Sequence, residues 1–315
     1  MARGTGALAP LIVRLLFILL FALALTARAA DAPYVTTPDN VIEAMLKLGA
    51  VTADDFVMDL GSGDGRIVIT AAKTRRARGQ GIELDPNLVR QSTREAERQG
   101  VAGRVTFTSD DLFFADLSKA TVVTMYMSAP VNQRLRPSLF KLKPGTRVLS
   151  HDFDMGNWRP DQKVTVSVPG KTYGAPHSNV FLWVIPADFA GTWRWQGDGK
   201  NVHEAALEQT FQRINATGQI DGRSAAVGKI DVRGDTIRLV MAANAVQREY
   251  RGRISGDTIS GTAVTIGATD EDKATQPWRA TRVARGRINI EAETQSFGSG
   301  SGSSLESSSG FSTKE

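Results

Sequence analysis

Asp59-Leu60-Gly61-Ser62-Gly63-Asp64-Gly65 decides how the rest of the chain is read. It follows a short apolar run at 55–60 and precedes residues 66–78, where Ile67, Val68, Ala71 and Ala72 recur at helical spacing. Glycines at alternate positions between a strand and a helix predict a sharp turn. Without a Cβ, the backbone bends freely and another molecule can come close to it. The first N–H groups of the following helix lack partners within that helix, so polar ligand atoms are favoured there. The spacing narrows the ligand class. A dinucleotide turn follows G-x-G-x-x-G and needs glycine at position 66, where this chain has Arg66. The third glycine is Gly65, so the turn is G-x-G-x-G and suits a ligand end without a pyrophosphate.

The flanking sequence predicts an α/β domain. Thr37-Pro38 reads as a helix start, with Val41, Ile42, Met45 and Leu46 on one face and Gly49 as the stop. Strands are expected at 55–60, 79–84, 105–108, 121–127 and 147–150. Helices between them are expected at 66–78, from Asp85-Pro86 to Gly100, and at 132–142, the last broken by Pro137. Alternation of this kind gives a parallel sheet covered by helices on both faces. Two further strands are expected at 163–168 and 180–185.

Two acids extend the glycine turn into a site. Glu83 closes the second strand in Gly81-Ile82-Glu83-Leu84-Asp85-Pro86, where a carboxylate accepts hydrogen bonds from two ribose hydroxyls. Asp111 follows the third strand in Ser109-Asp110-Asp111-Leu112. There it accepts from an adenine amino group, while the Leu112 N–H donates to a ring nitrogen. Either acid alone reads as a solvated surface carboxylate. In order at the carboxyl ends of strands one, two and three, the features read together as a nucleoside site. A turn without a pyrophosphate cradle then suits the methionine end of S-adenosyl-L-methionine.

Residues 33–160 resemble the class I, seven-strand protein-lysine methyltransferases of the ATP synthase c-subunit type and their bacterial relatives. The resemblance lies in Pro33-Tyr-Val-Thr-Thr-Pro38, Asp59-Leu-Gly-Ser-Gly-Asp-Gly-Arg66 with the following Ile-Val-Ile, Gly81-Ile-Glu-Leu-Asp-Pro86, Asp111-Leu-Phe and His151-Asp-Phe-Asp-Met-Gly-Asn-Trp158. It implies a Rossmann-like sheet ending in a hairpin, with S-adenosyl-L-methionine as cofactor. Asp59, Gly61, Gly63 and Gly65, with Ser62 in the same turn, are then expected at the methionine portion. Glu83 is expected at ribose, and Asp111 and Leu112 at adenine.

Methyl transfer is an in-line displacement that needs alignment and exclusion of water. An amine acceptor must be neutral to react, which a nearby carboxylate, tyrosine or desolvation assists. Tyr126 and Asp152 are the catalytic candidates, with Tyr34, His151 and Asp154 nearby in the sequence pattern. For Tyr126 the competing reading is a core aromatic, for His151 and Asp152 a strand-end hydrogen-bond pair, and for Trp158 simple packing. Tyr126-Met-Ser-Ala-Pro130 lacks the Asn/Asp-Pro-Pro-aromatic motif of amino-methylation of adenine, so a nucleic-acid acceptor is not expected. The chain has no cysteine and only three histidines, so neither disulfides nor a Cys-ligated metal or iron–sulfur centre is available. The acceptor expected is a protein, methylated on lysine, or a small molecule.

Four segments are expected. Residues 1–30 read as an export signal, with Arg3 and Arg14 ahead of an apolar run at 15–25 and Ala27-Arg28-Ala29 as the cleavage pattern. This predicts an exported protein, with membrane contact only through this segment if it is not cleaved; an anchored or organellar location is the alternative. Residues 31–188 form the methyltransferase-like domain. Residues 189–285 lose helical spacing and show short alternating runs at 206–214, 228–232, 236–240, 248–254 and 258–265, an all-β barrel or sandwich expected to recruit substrate or form a dimer contact. Residues 286–315 are Ser/Gly-rich and expected to be disordered. Two other readings stand beside an exported lysine methyltransferase: a non-catalytic exported binding protein with the same fold, and a small-molecule methyltransferase with an accessory β-domain.

Overall fold

The computed structural model describes residues 35–172, 174–197, 201–243, 246–266 and 275–291. The expected export signal, Tyr34 and the tail beyond 291 lie outside the described residues. The described residues from Thr37 onward form one compact unit.

Its first half is a seven-stranded sheet with four helices. In chain order these are α1 (Asp39–Leu48), β1 (Phe56–Leu60), α2 (Arg66–Arg75), β2 (Arg78–Glu83), α3 (Pro86–Arg98), β3 (Val105–Ser109), β4 (Val122–Met125), α4 (Ala129–Leu139), β5 (Arg147–His151), β6 (Gln162–Ser167) and β7 (His177–Val184). The strand order is β3-β2-β1-β4-β5-β7-β6. The first five strands run parallel, and β7 returns antiparallel between β5 and β6. This is the expected sheet with its terminal hairpin. Central strands are buried on both faces, so β4 is nearly all apolar, while β5 carries Ser150 and His151 buried at its end. Alternate residues feed two cores. Val57, Val122 and Leu149 pack with Val41, Ile42, Met45 and Leu46 of α1. Met58, Leu60, Val123, Met125 and Val148 pack with Leu135, Trp158 and Trp183.

The helix ends follow local chemistry. Asp85 caps α3 by accepting from the Asn87 N–H at 2.7 Å, with Pro86 in the first turn. Pro137 does not break α4, contrary to the sequence expectation. Its ring and Gln133, whose carbonyl loses the helical N–H, are both exposed, so that carbonyl is not shut away from solvent.

The second half is an antiparallel barrel: β8 (Gly191–Gln196), β9 (Val202–Thr210), β10 (Arg213–Ile220), β11 (Arg223–Val227), β12 (Asp231–Arg233), β13 (Thr236–Ala243), β14 (Val246–Ser255), β15 (Thr258–Ile266) and β16 (Gln276–Arg285). The order β11-β10-β9-β8-β16-β15-β14-β13 closes through β11–β13 pairing, and β12 hangs on β13. Alternating inward residues, among them Trp193, Trp195, Leu207, Leu239, Tyr250 and Trp278, fill the interior. The run expected at 206–214 is in fact a hairpin turning at Phe211 and Gln212. The start of the expected tail is also ordered: Asn289 bridges to Thr210, and Ile290 packs on the first domain's core.

Between the two halves, Arg282 fixes the linker. Its guanidinium is buried against the Trp193 ring and donates to the carbonyls of Ala190 at 2.6 Å and Asp188 at 2.5 Å. A buried guanidinium is tolerated where its donors are met in this way.

Candidate active site

The glycine turn is closely packed. Gly61, Gly63 and Gly65 have φ of 73°, 55° and 78°, which L side chains resist. Space forbids substitution as well. A Cβ on Gly65 would lie 2.6 Å from the Phe107 ring, and one on Gly61 would lie 2.8 Å from the Met127 sulfur. The Gly61 and Ser62 N–H groups both donate to the Ile82 carbonyl at 2.9 Å, stapling the turn to β2. The N–H groups of Gly61 and Ser62 are thus already occupied within the fold. Ser62 is buried, and its Oγ would lie 2.5 Å from a Cβ on Gly81, so its side chain is turned to β2.

Glu83 joins the turn to the second strand end. Its Oε2 accepts from the Gly63 N–H at 2.8 Å and its Oε1 from the Asp85 N–H at 3.0 Å. The carboxylate is fixed by backbone yet half-buried at the sheet edge, with lone pairs left for hydroxyl donors.

Asp59 is buried beneath the turn, 2% exposed. Thr124 Oγ1 donates to its Oδ1 at 2.7 Å across the β1–β4 pair. Burial pushes its carboxyl up to about 7; the Thr124 bond opposes this, and the neighbouring charges of Glu83 and Asp64 add to it. Asp111 follows β3 and accepts from the Phe113 N–H at 2.9 Å, which shapes the turn carrying half-buried Leu112.

The ends of β4 and β5 form the opposite wall. Tyr126 lies on the His151 ring, with centroids 3.8 Å apart, and on Phe153 at 6.1 Å. His151 is buried between two hydroxyls, with Nδ1 3.2 Å from Thr37 Oγ1 and Nε2 2.9 Å from Ser178 Oγ. Asp152 adopts a left-handed backbone, φ 59°. Its Oδ2 takes the Lys171 ammonium at 2.6 Å and its Oδ1 the Asn179 N–H at 2.9 Å. Asn132, buried at the start of α4, donates to Ser150 Oγ at 3.1 Å and to the Phe153 carbonyl at 3.0 Å. Glycine turn, Glu83, Asp111 and Tyr126 thus share the carboxyl edge of one parallel sheet, where ligands of open α/β sheets bind.

Residues 59–162 match the ANTKMT methyltransferase domain. A protein-lysine N-methyltransferase of Saccharolobus islandicus is 43% identical over 155 residues, 49% of this chain and 93% of that protein. The chain belongs to this methyltransferase family. A lysine N-methyltransferase of Rattus norvegicus that acts on the ATP synthase c-subunit is 34% identical over 42% of this chain and 62% of its own length. A Salinibacter ruber RNA methyltransferase solved with S-adenosyl-L-homocysteine is 52% identical, covering 49% of this chain and 96% of that one, with a TM-score of 0.45. The methyl donor of the ANTKMT-type enzymes, this one included, is S-adenosyl-L-methionine.

The residues present suit that donor. Glycine is required at 61 and 65 by the left-handed backbone and by Met127 and Phe107 packed against it, which fixes the shape of the turn at the end of β1. A buried acid at about 7 with carboxylates beside it has a deficit of positive charge, which an ammonium group would supply. Glu83 has acceptor capacity beyond its two backbone bonds.

At the ends of β4 and β5 the two sequence candidates differ in setting. Tyr126 is half-buried against His151 and Phe153. Asp152 is held by Lys171 and Asn179. Burial works to raise its carboxyl, but the bonds from Lys171 and Asn179 outweigh it and hold it below the usual range, which makes it a poor base. Burial lowers His151 to about 4, against the pull of Asp152, so its ring is neutral at physiological pH. The Thr37, Ser178 and Lys171 partners escaped the sequence reading because they lie on distant segments. Only His151-Asp152 in the matched motif marked the place.

Proposed function

We propose that this enzyme transfers the methyl group of S-adenosyl-L-methionine to the ε-amino group of lysine in a protein. The observation that carries the reading is the archaeal protein-lysine N-methyltransferase, matched over nearly its whole length by a chain whose glycine turn and sheet-edge acid are held in place by backbone bonds. Bound S-adenosyl-L-methionine supplies a methyl carbon activated by a sulfonium.

The chain's own residues do the rest. Asp59, Gly61, Gly63 and Gly65 would hold the methionine portion, Glu83 the ribose, and Asp111 with Leu112 the adenine. Tyr126 and Phe153 form an aromatic wall that suits the aliphatic stem and ammonium of a lysine through packing and cation–π attraction. The lysine must lose its proton to attack. Apolar rings and a neutral His151 lower the stability of the charged amine by withholding solvent, and the Tyr126 hydroxyl would steer it.

The test is transfer of isotopically labelled methyl by the full chain, offered cell protein and RNA separately. Label recovered on lysine side chains by mass spectrometry supports the reading. Label confined to RNA or to small molecules contradicts it.

A further inference from the structure

The barrel reaches the acceptor side of the site through one hairpin turn. Phe211 stacks on Trp158, the last residue of the His151–Trp158 motif, with centroids 5.7 Å apart and planes within 8°. The Trp158 indole N–H donates to Gln212 Oε1 at 2.8 Å, and Gln212 Nε2 donates to the Arg159 carbonyl at 2.7 Å. Both rings are buried. Arg136 of α4 grips the same loop from the other side, at the Met155 carbonyl and at Asn157 Oδ1, and its guanidinium lies 5.6 Å from the Phe211 ring.

The turn is rigid in its own right. Phe211 has a φ of 53°, a conformation costly for a bulky residue and kept only where its surroundings impose it. Here Gln209 Nε2 donates to the Phe211 carbonyl at 2.9 Å, and the Phe211 N–H donates to the Asn289 carbonyl at 3.1 Å. Gln209 also bonds the linker, accepting from the Phe189 N–H and donating to the Ala187 carbonyl. A strained turn, pinned from three directions, is thereby presented to the loop that carries Asp152 and Phe153.

We infer that the barrel is a brace for residues 152–158, and that Phe211 and Gln212 are positioning residues for the acceptor side of methyl transfer. The inference rests on the reading of that loop as the lysine-side wall. It assigns the barrel a contact with the catalytic half, beside the substrate recruitment or dimer contact expected from its sequence.

The experiment uses the full chain carrying Trp158→Phe, Gln212→Ala, or both. Trp158→Phe keeps a ring on Phe211 while removing the N–H together with part of the buried indole. Hydrogen–deuterium exchange across 152–157 is expected to quicken about five-fold in each, the scale of one net hydrogen bond. Because the two changes share that bond, the double variant is expected to go less far than the sum of the two single variants. The KM for the acceptor protein should rise with S-adenosyl-L-methionine affinity unchanged, a split that general destabilisation would not give. Unchanged exchange overturns the brace, as does faster exchange with unaltered acceptor kinetics. If the wild type transfers no methyl to lysine, the functional reading falls, and exchange alone decides the brace.

Discussion

Tyr126 rests face-on against His151, with ring centroids 3.8 Å apart and planes inclined by 30°. Because both His151 nitrogens face hydroxyls, the imidazole serves as a fixed, uncharged floor for the tyrosine rather than as a proton carrier. An NMR titration of the His151 ring is expected to show no inflection above pH 5, since burial lowers it to about 4. An inflection between pH 6 and 7 would show the ring to be open to water. His151→Phe keeps a floor but leaves Thr37 and Ser178 short of a partner, and should lower unfolding stability by about 1–3 kcal/mol in urea titrations.

The buried acid beneath the glycine turn makes a pH prediction with a definite sign. Asp59 titrates near 7 when folded, well above 3.8. Between those values the native state holds a proton that the unfolded chain has released. Its contribution to stability therefore declines as pH rises through that window, and the whole penalty is present above about 7. Asp59→Asn should accordingly be more stable than wild type at pH 8, by about 2–4 kcal/mol, and lose that advantage near pH 4. The same variant should bind S-adenosyl-L-methionine poorly. Thermal melts across pH check it; an advantage that does not grow with pH would contradict the assigned burial penalty.

The Lys171–Asp152 pair holds the start of the acceptor-side loop. Their side chains are 10% and 14% exposed, so removing one charge strands the other in poor solvent. Lys171→Met should cost about 3 kcal/mol at pH 7. Asp152 sits below its ordinary range, so the stability it adds is full above about pH 4 and is lost as pH falls through its folded value. The difference between variant and wild type should therefore shrink in acid. Equal denaturation midpoints at pH 7 would show the pair to be dispensable.

How much of this was legible follows from where the information lies. The glycine turn, Glu83 and Asp111 are local: each sits at a strand end marked by its own neighbours, so order along the chain was enough to bring them to one edge. The anchoring of Asp152 was not legible, because Lys171 and Asn179 reach it through the hairpin rather than through sequence proximity. Pro137 misled because it sits in the last turn of α4 on an exposed face, where the helix runs through it. In the barrel, the Phe211 turn has a left-handed residue without glycine, so 206–214 looked like one strand. The next turn, Asp221-Gly222, carries the ordinary Asp-Gly signature and was there to be read.

The most direct test is calorimetry of S-adenosyl-L-methionine binding to the wild-type chain and to Glu83→Ala. Glu83 ties the glycine turn to the second strand and supplies the charged acceptor at the sheet edge. Its removal should weaken binding by about ten-fold or more, the worth of a hydrogen bond to a charged group. Equal affinity for the two proteins, or no measurable binding to the wild type, would contradict the account.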